Sequence, residues 1–235
     1  MRADPNSAIH RWPTIIVVLS LWGLLGAPVS AEDQHQHRRP DDIKQYLEHL
    51  DSSDRDQYQK PSQVVEALRL KPGMAIADLG SGSGYFTRRF VEAVTDTGIV
   101  YAIDVEPEML AYTKDSIVHL HISYTAEFIL ARPDNPKLPY QSVDLLFICN
   151  TFHHLEDRTK YMSDVKSALK PGGRVAIVDF YHDERSGELG FSKHHLVPRE
   201  TVLQEMTAAG YRLVREHTFL PRQYFLEFVP NPPSP

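Results

Sequence analysis

The chain contains a single cysteine, Cys149, among its 235 residues. A disulfide within the chain is therefore excluded, and cysteine usage gives no sign of an oxidising compartment. Cys149 ends the apolar run 143–149, which is typical of a buried strand. We therefore predict that it is a small core residue and not a nucleophile.

Positive charge is also scarce. Lysine and arginine number 25 against 31 aspartates and glutamates, for a formal net charge of -6, and no basic stripe occurs. Because phosphate contacts dominate affinity for nucleic acids, this composition argues against DNA and transfer RNA as partners. The apolar content of 42% is enough for a full core, and one sheet-based domain would use most of the length.

The chain has one long apolar run. Residues 12–29 carry no charge, follow Arg2 and Arg11, and lead into the small residues of Val29-Ser30-Ala31. This order is typical of a secretory signal, so we predict cleavage near Ala31, loss of residues 1–31 and export to the periplasm or beyond. The alternative is that residues 12–29 remain as a membrane anchor. A polar segment, 32–55, follows with a short helical pattern near its end, and a proline-rich tail, 230–235, closes the chain.

Three glycines alternate in a short loop directly after an apolar run. Gly80, Gly82 and Gly84 directly follow the apolar run 76–79. Glycine permits positive φ and close backbone approach, which a loop needs to fold under a ligand at the carboxyl end of a strand. The spacing differs from the G-x-G-x-x-G of dinucleotide sites, and Asp78 just before the turn would repel a diphosphate. We expect instead a ligand with a cationic amine.

A second apolar run, 99–104, ends in Asp104, twenty residues beyond Gly84. A carboxylate there can accept hydrogen bonds from both hydroxyls of a ribose, and the alternative is an ordinary helix N-cap. Glu106-Pro107-Glu108 then starts a helix, because proline suits a first turn and acids suit a helix N-terminus. With the glycine loop upstream at this distance, ribose binding is the favoured interpretation.

Five motifs occur in order between Tyr58 and Val229: DLGSGSGYFT, AIDVEPEML, LPYQSVDLLF, NTFHHL and LKPGGRVAIVDF. Together they resemble the class I S-adenosylmethionine-dependent methyltransferases. The resemblance implies S-adenosyl-L-methionine as cofactor and methyl transfer by in-line displacement to a small-molecule acceptor. It assigns residues 56–229 to a methyltransferase domain.

Strands and helices are predicted to alternate, which indicates an α/β fold with a mostly parallel sheet. The predicted strands are 74–79, 99–104, 125–130, 143–149, 173–180, 211–217 and 222–229, and the predicted helices are 62–70, 85–95, 107–117, 158–169 and 198–209. The turn Leu220-Pro221-Arg222 leaves no room for a helix between the last two strands, so they must pair antiparallel. We expect a doubly wound, Rossmann-like seven-stranded sheet with an antiparallel last strand, as in the family.

Ligands of such sheets bind outside the carboxyl ends of the strands. The predicted cofactor-binding residues are Tyr58, Asp78, Gly80, Ser81, Gly82, Gly84, Tyr85, Asp104, Val105, Ala131, Arg132 and Asn150. Ala131 and Arg132 are expected near the adenine. By resemblance, Tyr58 would cover the methionine end of the cofactor, although it is equally suited to packing at the start of a helix.

His153 and His154 are the candidate catalytic bases, because neutral imidazole can take a proton from a hydroxyl or thiol near pH 7. The resemblance favours His154 and places Asn150 beside the reacting methyl group. Alternatively, one histidine caps the following helix or packs on the sheet, and methyl transfer rests on positioning alone. The histidines lack the spacing typical of metal ligands, so no metal is expected.

Two functions are compatible with these features. The first is a methyltransferase acting on a small molecule, which would be lipophilic if the protein stays on a membrane. The second is a non-catalytic exported protein that binds a nucleoside or S-adenosylmethionine. The intact Asp78, Asp104 and three loop glycines favour the enzyme. S-adenosylmethionine is made in the cytoplasm, so an export signal leaves three possibilities. An anchor holds the domain on the cytoplasmic face, the cofactor reaches another compartment, or the fold has been reused for binding.

Overall fold

The computed structural model describes residues 43–118, 120, 125–189 and 192–232. The predicted signal or anchor, residues 32–42 of the polar segment and the last three residues lie outside these ranges. All described residues belong to one compact unit. Among the described helices, none combines the length and apolar character needed to cross a membrane.

Seven strands form a single sheet in the described part of the chain. They are β1 (Ala75–Leu79), β2 (Ile99–Asp104), β3 (Ala126–Leu130), β4 (Val143–Cys149), β5 (Leu169–Phe180), β6 (Tyr211–His217) and β7 (Gln223–Pro230). Their order in the sheet is β3-β2-β1-β4-β5-β7-β6. Strands β1 to β5 pair parallel, whereas β7 is antiparallel to both β5 and β6. The predicted doubly wound sheet with its reversed last strand is confirmed.

The helices that flank the sheet are α1 (Ile43–Leu50), α2 (Asp54–Gln59), α3 (Pro61–Leu68), α4 (Thr87–Val94), α5 (Pro107–Ile117), α6 (Arg158–Val165) and α7 (Arg199–Ala208). All five predicted helices are present, α5 with the predicted bounds and the other four with shifted ends. The one predicted over 85–95 begins at Thr87 because the turns of the glycine loop continue through Phe86. The described fold reaches back to α1, which lies N-terminal to residue 56.

Strand β5 starts earlier than predicted. The sequence suggests a helix stop and a turn at Lys170-Pro171-Gly172-Gly173 before a strand over 173–180, but α6 ends at Val165 and β5 already begins at Leu169. The register against β4 shifts here, since Val143 pairs with Leu169 and the next partner on β5 is Arg174. The predicted turn is therefore an irregularity inside the strand.

Apolar packing on both faces of the sheet explains the continuous apolar runs of the central strands. Every residue of β1 is buried. One face packs on α6 and α7 through residues such as Met162 and Met206, and the other packs on α3 and α4 through residues such as Leu68 and Phe90. Cys149 belongs to the second cluster, and burial raises the pKa of its thiol to about 12. The predicted core role of Cys149 is confirmed.

The sheet also fixes where a ligand can bind. Strand β1 pairs with β2 on one side and with β4 on the other, so the strand order reverses at this point. In doubly wound sheets the crevice at such a reversal is the binding site. The carboxyl ends of β1, β2 and β4 therefore bring Asp78, Asp104 and Asn150 to the same edge.

Candidate functional site

The loop after β1 is held in a conformation that favours glycine. Gly80, Gly82 and Gly84 have φ values of +76°, +55° and +76°. The amides of Gly80 and Ser81 both donate to the carbonyl of Ile103, at 2.8 and 3.0 Å, which ties the loop to β2. The loop therefore turns sharply away from β1 and leads into α4.

Two of these glycines are also required by neighbouring side chains. A Cβ on Gly80 would lie 2.1 Å from Oγ1 of Thr151, and one on Gly84 would lie 2.7 Å from Cγ2 of Thr113. Glycine at these two positions thus leaves room for the side chains of Thr151 and Thr113. Close ligand approach, which the sequence suggests for all three glycines, remains an explanation for Gly82 alone.

The loop presents polar groups that the described residues do not satisfy. The hydroxyls of Ser81 and Ser83 are buried, and neither has a hydrogen-bond partner within the described ranges. Buried polar atoms in native proteins almost always have a partner, so an orphaned pair calls for an explanation. A polar ligand seated on the loop would supply the missing bonds, and the loop therefore fits a nucleoside cofactor.

Asp104 is held rigidly at the end of β2. Its two carboxylate oxygens accept the amides of Gly82 and Glu106, at 2.9 and 3.0 Å, and the residue is 9% exposed. A carboxylate has about four acceptor sites, more than these two amides use. The alternative that Asp104 caps the next helix is wrong, because Glu106 is the N-cap residue of α5.

Asp78 lies beneath the loop and is almost fully buried. Burial raises the pKa of its carboxyl to about 6, while a 2.6 Å hydrogen bond from the Thr87 hydroxyl and the positive charge of Arg55 oppose that rise. Above this pH the strand end carries a buried negative charge. Such a group can attract the cationic amine that the sequence predicts.

Helices α1 and α2 lie over the glycine loop, and residues 43–59 are called the N-terminal cover below. A Cβ on Gly82 would lie 3.2 Å from Cδ1 of Leu50 at the end of α1. Between the two helices, Asp51 forms an ion pair with Arg88 of α4. The cover therefore forms the outer wall of the candidate site.

Tyr85 anchors this cover. Its hydroxyl donates to Asp56, and its ring lies between two guanidinium groups, those of Arg55 and Arg89, at 4.1 and 4.2 Å from the ring centroid. Stacked cations of this kind are attracted by the ring face. The sequence predicts that Tyr85 binds cofactor, but the structure shows it joining α2 to α4.

A buried amide network joins the cover to the sheet. The side-chain amide of Gln59 donates to Gln223 at 3.0 Å and to Sγ of Cys149 at 3.1 Å. Asn150, which has a φ of +54°, donates to Gln59 at 3.4 Å and accepts from Gln223 at 2.6 Å. Asn150, predicted beside the reacting methyl group, is thus tied to both glutamines. Sequence reasoning missed Gln59 and Gln223, because neither lies in a motif and 164 positions separate them.

The two histidines differ sharply in environment. His153 is buried, and its Nδ1 lies 2.9 Å from both carboxylate oxygens of the fully buried Asp179. His154 is exposed, with its ring centroid 4.2 Å from that of His153. Neither caps α6, whose N-cap is Asp157. Within the described residues, no group of three or more His, Cys, Asp or Glu side chains could hold a metal ion.

Tyr58 lies against the end of β5. Its ring is 5.7 Å from that of Phe180 at the end of β5, and the guanidinium of Arg222 lies 4.9 Å above it. Tyr58 is half-buried. It therefore borders the space next to β5 and helps to fix the cover there.

The predicted adenine side lies at the ends of β2 and β3. The amide of Ala131, a buried residue, donates to the carbonyl of Asp104 at 2.9 Å. Val105 is partly buried against the core, and the exposed Arg132 forms a backbone bridge with Asn135. Ala131 and Val105 thus lie next to the residue predicted to hold the ribose.

The chain is similar to known methyltransferases in sequence. A family model described as a methyltransferase domain matches residues 77–177. The chain is similar to the ubiquinone/menaquinone biosynthesis C-methyltransferase UbiE of Vibrio campbellii, with 28% identity over 156 residues. The match covers 65% of this chain and 60% of that enzyme, so the chain spans about 60% of the length of this relative.

Solved structures share the fold. A SAM-dependent methyltransferase from Aquifex aeolicus superposes with a TM-score of 0.73 and 27% identity, covering 80% of this chain and 98% of the other. A protein from Bordetella parapertussis, named as a possible exported protein, gives a TM-score of 0.61 at 14% identity, covering 75% and 68% of the two chains. The second comparison concerns the fold alone.

Proposed function

We propose that the chain is a class I S-adenosylmethionine-dependent methyltransferase that transfers the methyl group of that cofactor to a small-molecule acceptor, as its similarity to methyltransferases supports. One observation carries this proposal. The glycine loop, with two orphaned buried serine hydroxyls, lies between the carboxylates of Asp78 and Asp104 at the point where the strand order reverses. A strand reversal with this donor and acceptor set suits a nucleoside that carries a cationic amine.

Each end of the cofactor would have its own partners. Asp104 would accept hydrogen bonds from the ribose hydroxyls, and the hydroxyls of Ser81 and Ser83 would bond to polar atoms lying on the loop. Asp78 would attract the α-ammonium group. The bound cofactor supplies a methyl carbon activated by a positively charged sulfur. The protein's task is to hold an acceptor behind that carbon, and positioning of this kind can supply a large part of the acceleration.

For acceptors that must lose a proton, we propose His153 as the base, in preference to the neighbouring His154. The Asp179 carboxylate accepts from Nδ1 of His153, so in the neutral ring Nδ1 carries the proton and Nε2 is the basic nitrogen. His154 has an exposed ring. A carboxylate that fixes the tautomer and orientation of an imidazole supports its use as a general base.

The acceptor is proposed to be small and to contact the aromatic side chains at the end of β5, where Tyr58 and Phe180 lie together. If residues 12–29 anchor the protein, the acceptor is proposed to be lipophilic. The name of the Vibrio relative, a C-methyltransferase of ubiquinone/menaquinone biosynthesis, is compatible with such an acceptor. Neither nucleic acid nor metal forms part of the proposal.

Calorimetry with S-adenosylmethionine and S-adenosylhomocysteine tests the cofactor site, and homocysteine release over a panel of acceptors tests turnover. With an active acceptor, His153→Ala should lower turnover about 100-fold and leave the cofactor Kd nearly unchanged. Added imidazole should restore part of the rate, and His154→Ala is the matched control. Equal turnover in the parent and His153→Ala would remove His153 from the mechanism. Binding without transfer to any acceptor would instead support a non-catalytic binding protein.

A further inference from the structure

Arg55 of the N-terminal cover points its charge toward the strand ends. Its Nε donates to Oε1 of Gln59 at 3.1 Å and its Nη1 to the carbonyl of Leu50 at 2.7 Å. Both acceptors are neutral, and among the described residues no carboxylate forms an ion pair with Arg55. A guanidinium offers five donors, and these two acceptors together with the Cys149 thiol use only part of them.

Hydrogen bonds give the position of this charge relative to the strands. The Oε1 atom of Gln59 accepts from Arg55 and from Asn150, and the amide of Gln59 donates to Cys149 at the end of β4. In keeping with this position, the charge of Arg55 lowers the pKa values of Asp78 and Cys149, against the larger raising effect of burial. Its guanidinium also lies 4.1 Å from the ring centroid of Tyr85, just after the glycine loop. Arg55 thus faces the ends of β1 and β4, and the ribose acceptor Asp104 lies at the end of β2.

This arrangement matches the two charges of an α-amino acid. The cofactor's methionine part ends in an ammonium and a carboxylate, and a cleft that held only Asp78 and Asp104 would attract the first and repel the second. Arg55 supplies the missing cation, next to Gln59 near the end of β4. A guanidinium also fits a carboxylate through two parallel hydrogen bonds.

We propose, on the premise of the proposed function, that Arg55 binds the α-carboxylate of S-adenosylmethionine. The N-terminal cover then contributes a cofactor-binding residue from outside the sheet motifs. The competing explanation is that Arg55 only fixes the cover by stacking on Tyr85. The two explanations differ in one respect, since only the first depends on the carboxylate of the ligand.

Arg89 provides a matched control for the stacking. Its guanidinium lies 4.2 Å from the same ring centroid, on a helix outside the cover, and it donates to the backbone carbonyl of Tyr85 and lies 3.8 Å from Asp56. Both arginines therefore stack on Tyr85. Only Arg55 combines this stacking with neutral hydrogen-bond acceptors and a position close to Asp78.

The test compares S-adenosylmethionine with decarboxylated S-adenosylmethionine, which differs only in lacking the carboxylate. Calorimetry on the full chain should show that Arg55→Gln weakens S-adenosylmethionine binding about 10- to 100-fold, the loss expected for a charge-assisted pair. Binding of the decarboxylated analogue should change less than about twofold. Arg55→Lys should recover part of the affinity, and Arg89→Gln should leave the preference between the two ligands unchanged.

Three results would overturn the inference or its premise. If Arg55→Gln weakens the binding of both ligands equally, Arg55 only stabilises the cover. If S-adenosylmethionine binding is unchanged, Arg55 does not belong to the cofactor site. A parent protein that binds neither ligand would refute the proposed function itself. Thermal unfolding of each variant separates these results from loss of fold, and Arg55→Lys keeps the charge if Arg55→Gln fails to fold.

Discussion

Ribose recognition by Asp104 can be tested sharply because the structure separates its two roles. The carboxylate accepts the amides of Gly82 and Glu106, at 2.9 and 3.0 Å, and would also accept the ribose hydroxyls. Asp104→Ala removes all these acceptors at once and leaves two amides without partners. Asp104→Asn keeps the shape and one carbonyl oxygen, and replaces the other oxygen with a donor.

The expected magnitudes follow from these bonds. In Asp104→Asn one amide of the loop faces a donor, which should cost the fold about 1–3 kcal/mol. A ribose would lose one of two charge-assisted bonds and the charge behind the other, a loss of about 2–3 kcal/mol or roughly 30- to 150-fold in Kd. Asp104→Ala should weaken binding by about 3 kcal/mol or more, with a larger loss of stability.

Calorimetry with S-adenosylhomocysteine measures the first quantity and urea unfolding the second. Asp96→Asn, which removes one negative charge at an exposed site on the turn after α4, is the matched control and should change neither. If Asp104→Asn unfolds at lower urea but binds S-adenosylhomocysteine as tightly as the parent, Asp104 serves the loop alone. The ribose assignment would then be wrong.

Three further predictions concern the loop and the N-terminus. The pKa of Asp78 rises from 3.8 to about 6 on folding. The protonated carboxyl therefore contributes its full stabilisation below about pH 4 and loses it as the pH rises through 6. This loss lowers the free energy of unfolding by about 3 kcal/mol. Asp78→Asn should therefore flatten the fall in urea stability between pH 5 and 7.5, and an unchanged slope would contradict that pKa. Gly80→Ala should destabilise the fold by about 2 kcal/mol or more beyond Gly172→Ala, because both glycines have φ near +80° but only the first would contact Thr151; equal unfolding midpoints would refute the clash. N-terminal sequencing of protein from its native host should find a chain that begins at Glu32, whereas intact Met1 in the membrane fraction would favour an anchor.

The sequence by itself determined the sheet, most helix positions and the polar groups at the strand ends. Apolar runs and turn residues are local signals, and they were sufficient to predict the seven strands and the antiparallel last one. Asp78 and Asp104 could be placed at one edge because the carboxyl ends of parallel strands meet there. The glycine spacing, together with the other motifs in order, was sufficient to predict a methyltransferase domain, and a family model of that description matches residues 77–177.

Only the tertiary structure decided which side chains act together. His153 and His154 are adjacent in sequence, yet one is buried against Asp179 and the other is exposed. Gln59 meets Gln223 across 164 positions, and Arg55 reaches the strand ends from a polar segment without a motif. Such contacts carry no local signal, because their partners are set by how the cover and the last strands pack on the core.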